Sequence, residues 1–195
     1  MIEPKLAAPG AGIPFYAHIY NRLITKPFTI KNISWEECES AFTAAHKKLK
    51  AELSPLSEKE ATTRILVPPQ PGLEDSSRFW SAAMTARHIV VTARPIEKII
   101  VALSRHEKLD LIVDVAKVKP ELDKNSPDAI QEFFEMGDTI LERLRQNVKD
   151  RNSSETHRHP WFGGLTSKGW LWLLGRHSFI HLRQVREIKK GLSKG

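Results

Sequence analysis

The chain has 195 residues, of which 41% are hydrophobic. That length suffices for one well-buried core and is short for two domains, so we predict a single domain over residues 1–195. Thirty lysines and arginines against 23 acidic residues give a formal net charge of +7, which favours anionic partners. The basic residues are scattered, however, without a zinc-finger spacing, an RNA-recognition signature or a basic helix, so the sequence disfavours nucleic-acid binding.

Helical periodicity dominates the first third of the chain, between its prolines and glycines. A short helix is predicted over Phe15–Ile24, outside the main fold. The first long helix is predicted over Ser34–Leu53, because Ser34 and Glu37 stand in capping-box spacing and apolar residues recur every three or four positions. The proline-rich segment Thr62–Leu73 is predicted to be a loop that lies extended across the fold.

A second long helix is predicted to begin at Ser76 or Ser77, with one stripe that includes Trp80 and His88. Pro95 is expected to kink this helix or to divide it in two. The stripe is completed by Met84 and Val91.

Two further long helices follow in the second half of the chain. The third is predicted from the Ser126 cap to about Val148, with Pro127 in its first turn. The fourth is predicted from Thr166 to about Lys190, stopped by Gly191. No segment has the pattern of a strand, so we predict an all-α protein, a four-helix bundle with long connecting loops and a small additional N-terminal helix.

The cellular compartment is predicted from three sequence features: the cysteine count, the first residues and the length of the apolar runs. Its single cysteine, Cys38, excludes an internal disulfide and a thiolate cluster. The first residues have no basic region followed by an apolar stretch, and the longest apolar runs are far shorter than the roughly 20 residues that cross a bilayer. We therefore expect a cytoplasmic protein without membrane contact.

Three histidines are the candidate metal ligands. His177 and His181 are four residues apart and lie together on the apolar stripe of the fourth helix, while His88 lies on the stripe of the second. Buried imidazoles need partners for their ring nitrogens, and a divalent metal ion provides one for each. Such a His₃ site leaves at least one coordination position for water or substrate. The alternative is that these are ordinary core histidines bonded to backbone carbonyls.

The other histidines have less specific positions. His46, at the edge of the first helix stripe, is expected to be a half-exposed surface residue, although the same cavity is an alternative. His157 and His159 lie in a polar loop, and whether they approach the site is open. His18 and His106 are expected at the surface.

Two stretches of the chain resemble the DinB/YfiT-like metalloenzymes. Residues 159–166 read HPWFGGLT, Trp170 follows, and residues 177–184 read HSFIHLRQ, similar to the family's last loop and helix. Upstream, the segment from Pro71 through Trp80 and Ser81 to His88 is similar to the family's second-helix entry. One departure is Ile180, where many members have another histidine. Arg183 and Gln184 are expected to orient ligands or to bond the connecting loop.

The resemblance implies a four-helix bundle, often a homodimer, with nickel or zinc held at His88, His177 and His181. It also implies a small-molecule substrate and an ion that activates a low-molecular-weight thiol, as in the family's thiol-dependent S-transferases and isomerase. The hypothesis for this chain is a metal-dependent enzyme whose ion activates a water or such a thiol for hydrolysis or S-transfer. The alternative is a nonenzymatic metal-binding or stress-response protein. An open coordination position reached by a cavity would favour the enzyme, and a carboxylate as fourth ligand would favour the alternative.

Overall fold

Four long helices form the body of the fold in the computed structural model, which describes residues 3–12, 19, 25 and 29–194. Residues 29–194 contain the α-helices α1 (Trp35–Leu53), the short α2 (Glu58–Thr62), α3 (Ala82–Ser104), α4 (Asp128–Asn147) and α5 (Ser167–Leu192), besides three short 3₁₀ helices. Helix α1 packs against α4 and α5, and α3 packs against the same two helices. This closed ring confirms the predicted four-helix bundle. The predicted helix over Phe15–Ile24 lies outside the described residues, apart from Ile19.

Side-chain caps set where the helices begin. At α1 the Ser34 hydroxyl accepts the Glu37 N–H and the Glu37 carboxylate accepts the Ser34 N–H, so the predicted capping box is confirmed. Thr166 caps α5 as predicted. Helix α5 continues through Gly191 to Leu192, so the predicted stop at Gly191 is wrong. The glycine instead leaves room for Ile65, because a Cβ at Gly191 would lie 2.3 Å from the Ile65 side chain.

The start of the second long helix differs from the prediction. Its cap is Ser81, which accepts the Met84 N–H at 3.0 Å, so the predicted start at Ser76 or Ser77 is wrong by about one turn. Residues 75–77 form a 3₁₀ turn, and Trp80 belongs to a strand. Pro95 does not divide the helix, because apolar residues on both sides are buried in the core and offset its missing hydrogen bond.

Two short antiparallel strand pairs lie in the loops, where the sequence predicted none. Strand β1 (Ile65–Leu66) pairs with β2 (Phe79–Trp80), and β3 (His157–His159) pairs with β4 (Gly163–Leu165). Strands of two or three residues are too short for an alternating pattern to appear in the sequence. Their effect is to fix Trp80 and His159 beside the bundle. Within the described residues, no helix combines the length and apolar character that a membrane crossing requires.

Gly175 allows α5 to approach α1 closely, half a turn before His177. A Cβ at this position would lie 3.1 Å from the backbone nitrogen of Phe42. Because backbone atoms of a packed helix have little room to move, the glycine determines the separation of the two helices and so the position of the histidine-bearing turn.

We predict that Gly175→Val lowers the free energy of unfolding by about 1–3 kcal/mol, because the added branches meet the backbone of α1. Urea unfolding followed by circular dichroism measures the change. Lys190→Val on the exposed side of the same helix is the control for the effect of a β-branched residue in a helix. Equal stabilities for the two variants would contradict the proposed close approach.

Candidate metal centre

The three candidate histidines meet between α3 and α5. His177 Nε2 lies 3.0 Å from His88 Nε2 and 3.1 Å from His181 Nε2. The ligand atoms of the three residues all lie within 4.8 Å of one another. Metal–nitrogen distances of about 2.0–2.1 Å in a tetrahedral site place ligand nitrogens about 3.3 Å apart. The sequence-predicted residues therefore come together at a spacing that suits one ion.

Hydrogen bonds on the far side of two rings decide which nitrogen carries the proton. His88 Nδ1 lies 2.7 Å from the Val118 carbonyl oxygen, which only accepts, so His88 Nδ1 donates. The Gln184 amide donates to the Ser77 carbonyl at 2.7 Å, which turns its oxygen towards His181 Nδ1, also at 2.7 Å. His181 Nδ1 therefore donates as well. In the neutral imidazole both Nε2 atoms are then unprotonated.

His177 has the same preference through Thr92. The Thr92 hydroxyl donates to the backbone carbonyl of His88 at 2.8 Å, and its oxygen lies 3.5 Å from His177 Nδ1. Since its one proton is directed at the carbonyl, Thr92 presents a lone pair to His177. Even a proton on His177 Nε2 could satisfy only one of its two Nε2 neighbours. A cation between the rings removes the remaining repulsion between lone pairs.

Burial keeps these imidazoles neutral. Removal from water holds the pKa of His88 and of His177 well below its usual range, and the neighbouring histidines lower both further. Burial lowers the pKa of His181 to about 4, against the opposing effect of its bond to Gln184. Neutral imidazole is the form that binds a metal ion, so the three ligand atoms are available at neutral pH.

A half-buried lysine, Lys119, lies beside the cluster. The Trp80 ring contacts those of His88 and His181, at centroid distances of 5.0 and 6.2 Å, and Lys119 Nζ lies 5.4 Å from the same Trp80 ring. Lys119 forms an ion pair with the buried Glu74, yet burial still lowers the pKa of Lys119. Sequence reasoning missed this pair, because both residues lie in loops that carry no periodic signal.

A cleft of about 1700 Å³ leads to the three histidines. One wall is the loop between α3 and α4, residues 111–119, which also supplies the Val118 carbonyl. Ile180, at the position where the resembled family often has histidine, lines the cleft as well. Gln184 orients His181 and bonds the Ser77 carbonyl, and Arg183 donates to the Pro71 carbonyl, so the two expected roles of this pair are both found.

His159 is a further histidine of the cleft, which answers the question that its sequence position left open. It is buried, and its Nδ1 accepts the Trp161 N–H at 3.1 Å, so the neutral ring carries its proton on Nε2. His157 is half-buried, with its ring 6.0 Å from that of Trp170, and it is not among the residues that line the cleft.

His46 is buried, so its prediction as a half-exposed surface residue is wrong. Its Nε2 lies 3.1 Å from the Asp138 carboxylate on α4, away from the cleft. The cause is Gly137, where a Cβ would lie 2.0 Å from the His46 ring; the glycine leaves a slot that the sequence of α1 alone does not reveal. His106 is exposed, as predicted, and His18 lies outside the described residues.

Burial lowers the pKa of His159 to about 4, from which a pH dependence of stability follows. The unfolded chain takes up this proton near pH 6.5 and the folded chain only near pH 4, so folding loses free energy as the pH falls through that window. We predict that, with a chelator present, lowering the pH from 7.5 to 5 destabilises the wild type more than His159→Gln, by about 1–2 kcal/mol in urea unfolding. His106→Gln is the control and should follow the wild type. Equal pH responses of wild type and His159→Gln would contradict the assignment.

Comparisons with known proteins support the fold and leave the function open. No family model and no curated protein matches the chain. Among solved structures, the chain is similar to TT2238, a four-helix bundle protein, with 20% sequence identity and a TM-score of 0.55 over 78% of this chain and 98% of that chain. At this identity the likeness concerns the fold alone. The resemblance to the DinB/YfiT-like family stays a prediction.

Proposed function

We propose that this protein is a metal-dependent enzyme in which a divalent ion, nickel or zinc, is held by His88, His177 and His181. In this proposal the ion activates a water or a low-molecular-weight thiol for hydrolysis or S-transfer to a small-molecule substrate. The observation that carries the proposal is the convergence of the three histidine Nε2 atoms in a cleft. A metal ion would give each of these nitrogens a partner, whereas one proton on His177 Nε2 would leave one of its two neighbours without one.

The composition of the cluster favours an enzyme over a nonenzymatic metal-binding stress-response protein. Within the described part of the chain, the group that could hold an ion contains the three histidines and no carboxylate or thiol. The single cysteine, Cys38, is buried in the core instead. A three-ligand site leaves a coordination position, and the cleft gives a substrate access to it.

The chemistry follows from the charge of the ligands. Three neutral imidazoles cancel none of the charge of a divalent ion, which when bound would lower the pKa of a coordinated water to about 7 and would also lower the pKa of a coordinated thiol. His159 adds an Nε2–H donor to the cleft wall, and Trp161 and Phe162 add apolar rings to it. The proposal also includes membership of the DinB/YfiT-like family, a homodimeric state and a cytoplasmic location.

The outer hydrogen bonds should strengthen metal binding. We predict that Gln184→Ala weakens zinc affinity about 10–100-fold, because His181 loses the partner that fixes its ring and its proton. Competition with a chromophoric chelator measures the affinity. Gln146→Ala, an exposed glutamine on α4, is the matched control and should bind as the wild type does. Unchanged affinity in Gln184→Ala would exclude the proposed role of Gln184.

An open coordination position is the feature that separates the enzyme from its alternative. We predict that the cobalt(II)-substituted protein gains a thiolate-to-cobalt charge-transfer band when a small thiol such as 2-mercaptoethanol is added, because the thiolate enters the position that protein ligands leave free. His177→Ala, prepared identically, is the control for cobalt bound elsewhere. A spectrum of the wild type that thiol leaves unchanged would favour a closed, nonenzymatic site.

A further inference from the structure

We infer that the ligand of the cleft is an amphipathic monoanion, with an apolar or aromatic body and a carboxylate. This inference rests on the proposed function in taking the cleft as the substrate site. It is carried by two observations: the apolar character of one wall and an excess of unpaired cations on the others.

The apolar wall is aromatic. Trp161, Phe162 and Trp172 line the cleft, and the rings of Phe162 and Trp172 meet edge to face at 5.5 Å. Both tryptophans are half-buried, so part of each indole faces open space in the described structure. Ile96 and Ile99 of α3 extend the same surface. Such a wall binds a flat, apolar body by removing it from water.

The positive charges of the residues that line the cleft outnumber the negative charges. Among the described residues, four cations and three acids line it: Arg78, Lys117, Lys119, Arg176, Glu74, Asp75 and Asp114. Two ion pairs, Arg78 with Asp75 and Lys119 with Glu74, account for half of the cations.

The other two cations, Lys117 and Arg176, have no carboxylate partner among the described residues. Both side chains are exposed, and the Arg176 guanidinium only lies 5.9 Å from the Phe179 ring. The remaining acid, Asp114, accepts the N–H of Ala116 within its own loop. Among the described residues, the cleft therefore offers a ligand two unpaired cations against one unpaired carboxylate, an excess of one positive charge that suits a monoanion.

Both free cations are adjacent in sequence to parts of the histidine cluster. Arg176 directly precedes His177, and Lys117 directly precedes Val118, whose carbonyl holds His88. Both also line the cleft that His88 and His177 line, so an anionic group held by either cation shares the cleft with the candidate metal centre. We infer a carboxylate in place of a phosphate dianion, because a second charge would lose more hydration free energy in a largely apolar cleft.

The test compares two probes that share one ring system, 2-naphthoate and the neutral 2-naphthylmethanol. Binding to the metal-free protein is measured by calorimetry at low salt with a chelator present, so direct coordination to an ion does not contribute. We expect 2-naphthoate to bind about five- to tenfold more tightly than the alcohol, the ratio that two exposed ion pairs provide. The double variant Arg176→Gln/Lys117→Gln should bind both probes with similar affinity.

The matched control is Arg94→Gln/Lys98→Gln, which likewise removes one arginine and one lysine, but from the exposed face of α3 outside the cleft. It should keep the preference for 2-naphthoate. Absence of 2-naphthoate binding, equal binding of the two probes by the wild type, or an equal loss of preference in both double variants would overturn the inference. A protein that prefers 2-naphthoate yet takes up no metal would contradict the proposed function and leave this inference standing. A protein that binds metal but does not prefer 2-naphthoate would contradict this inference and leave the proposed function standing.

Discussion

The close approach of three imidazole nitrogens is the constraint on which the rest of this site depends. Each Nδ1 faces an acceptor, the carbonyl of Val118, the hydroxyl of Thr92 or the amide oxygen of Gln184. The Nε2 lone pairs of His88 and His181 thereby face His177 Nε2, where one proton can satisfy only one of them and a cation between the rings would satisfy all three nitrogens. The arrangement that would favour binding of a cation therefore lowers the stability of the metal-free protein, as is usual at functional sites.

The bundle supplies the framework that holds this arrangement. Helices α3 and α5 pack directly together, and the Ser81 cap and Gly175 determine where their histidine-bearing turns lie. The loop between α3 and α4 then closes over the cluster through Val118. Residues from helices and loops therefore depend on one another, and Gln184 illustrates this by joining His181 to the loop carbonyl of Ser77.

Sequence periodicity predicted the features that are local to a helix. The spacing of His177 and His181, the inward position of His88 and the capping box of α1 all follow from local helix geometry, and all are found, whereas Trp80 of the predicted stripe lies in a strand. The contributions of loops could not be predicted in this way, because Val118 and Lys119 reach the site only through tertiary folding. His46 was misplaced for a similar reason: its burial depends on Gly137 of another helix. The likeness to TT2238 adds support for the bundle and none for the chemistry.

Elemental analysis of protein purified without a histidine tag tests the central claim most directly. After loading with zinc or nickel and removal of free ions, the account predicts one bound ion per chain in the wild type and in the surface variant His106→Ala. It predicts loss of that ion in His88→Ala and in His177→Ala. A wild type that cannot be loaded with nickel, zinc or manganese, or histidine variants that retain a full ion, would contradict the account.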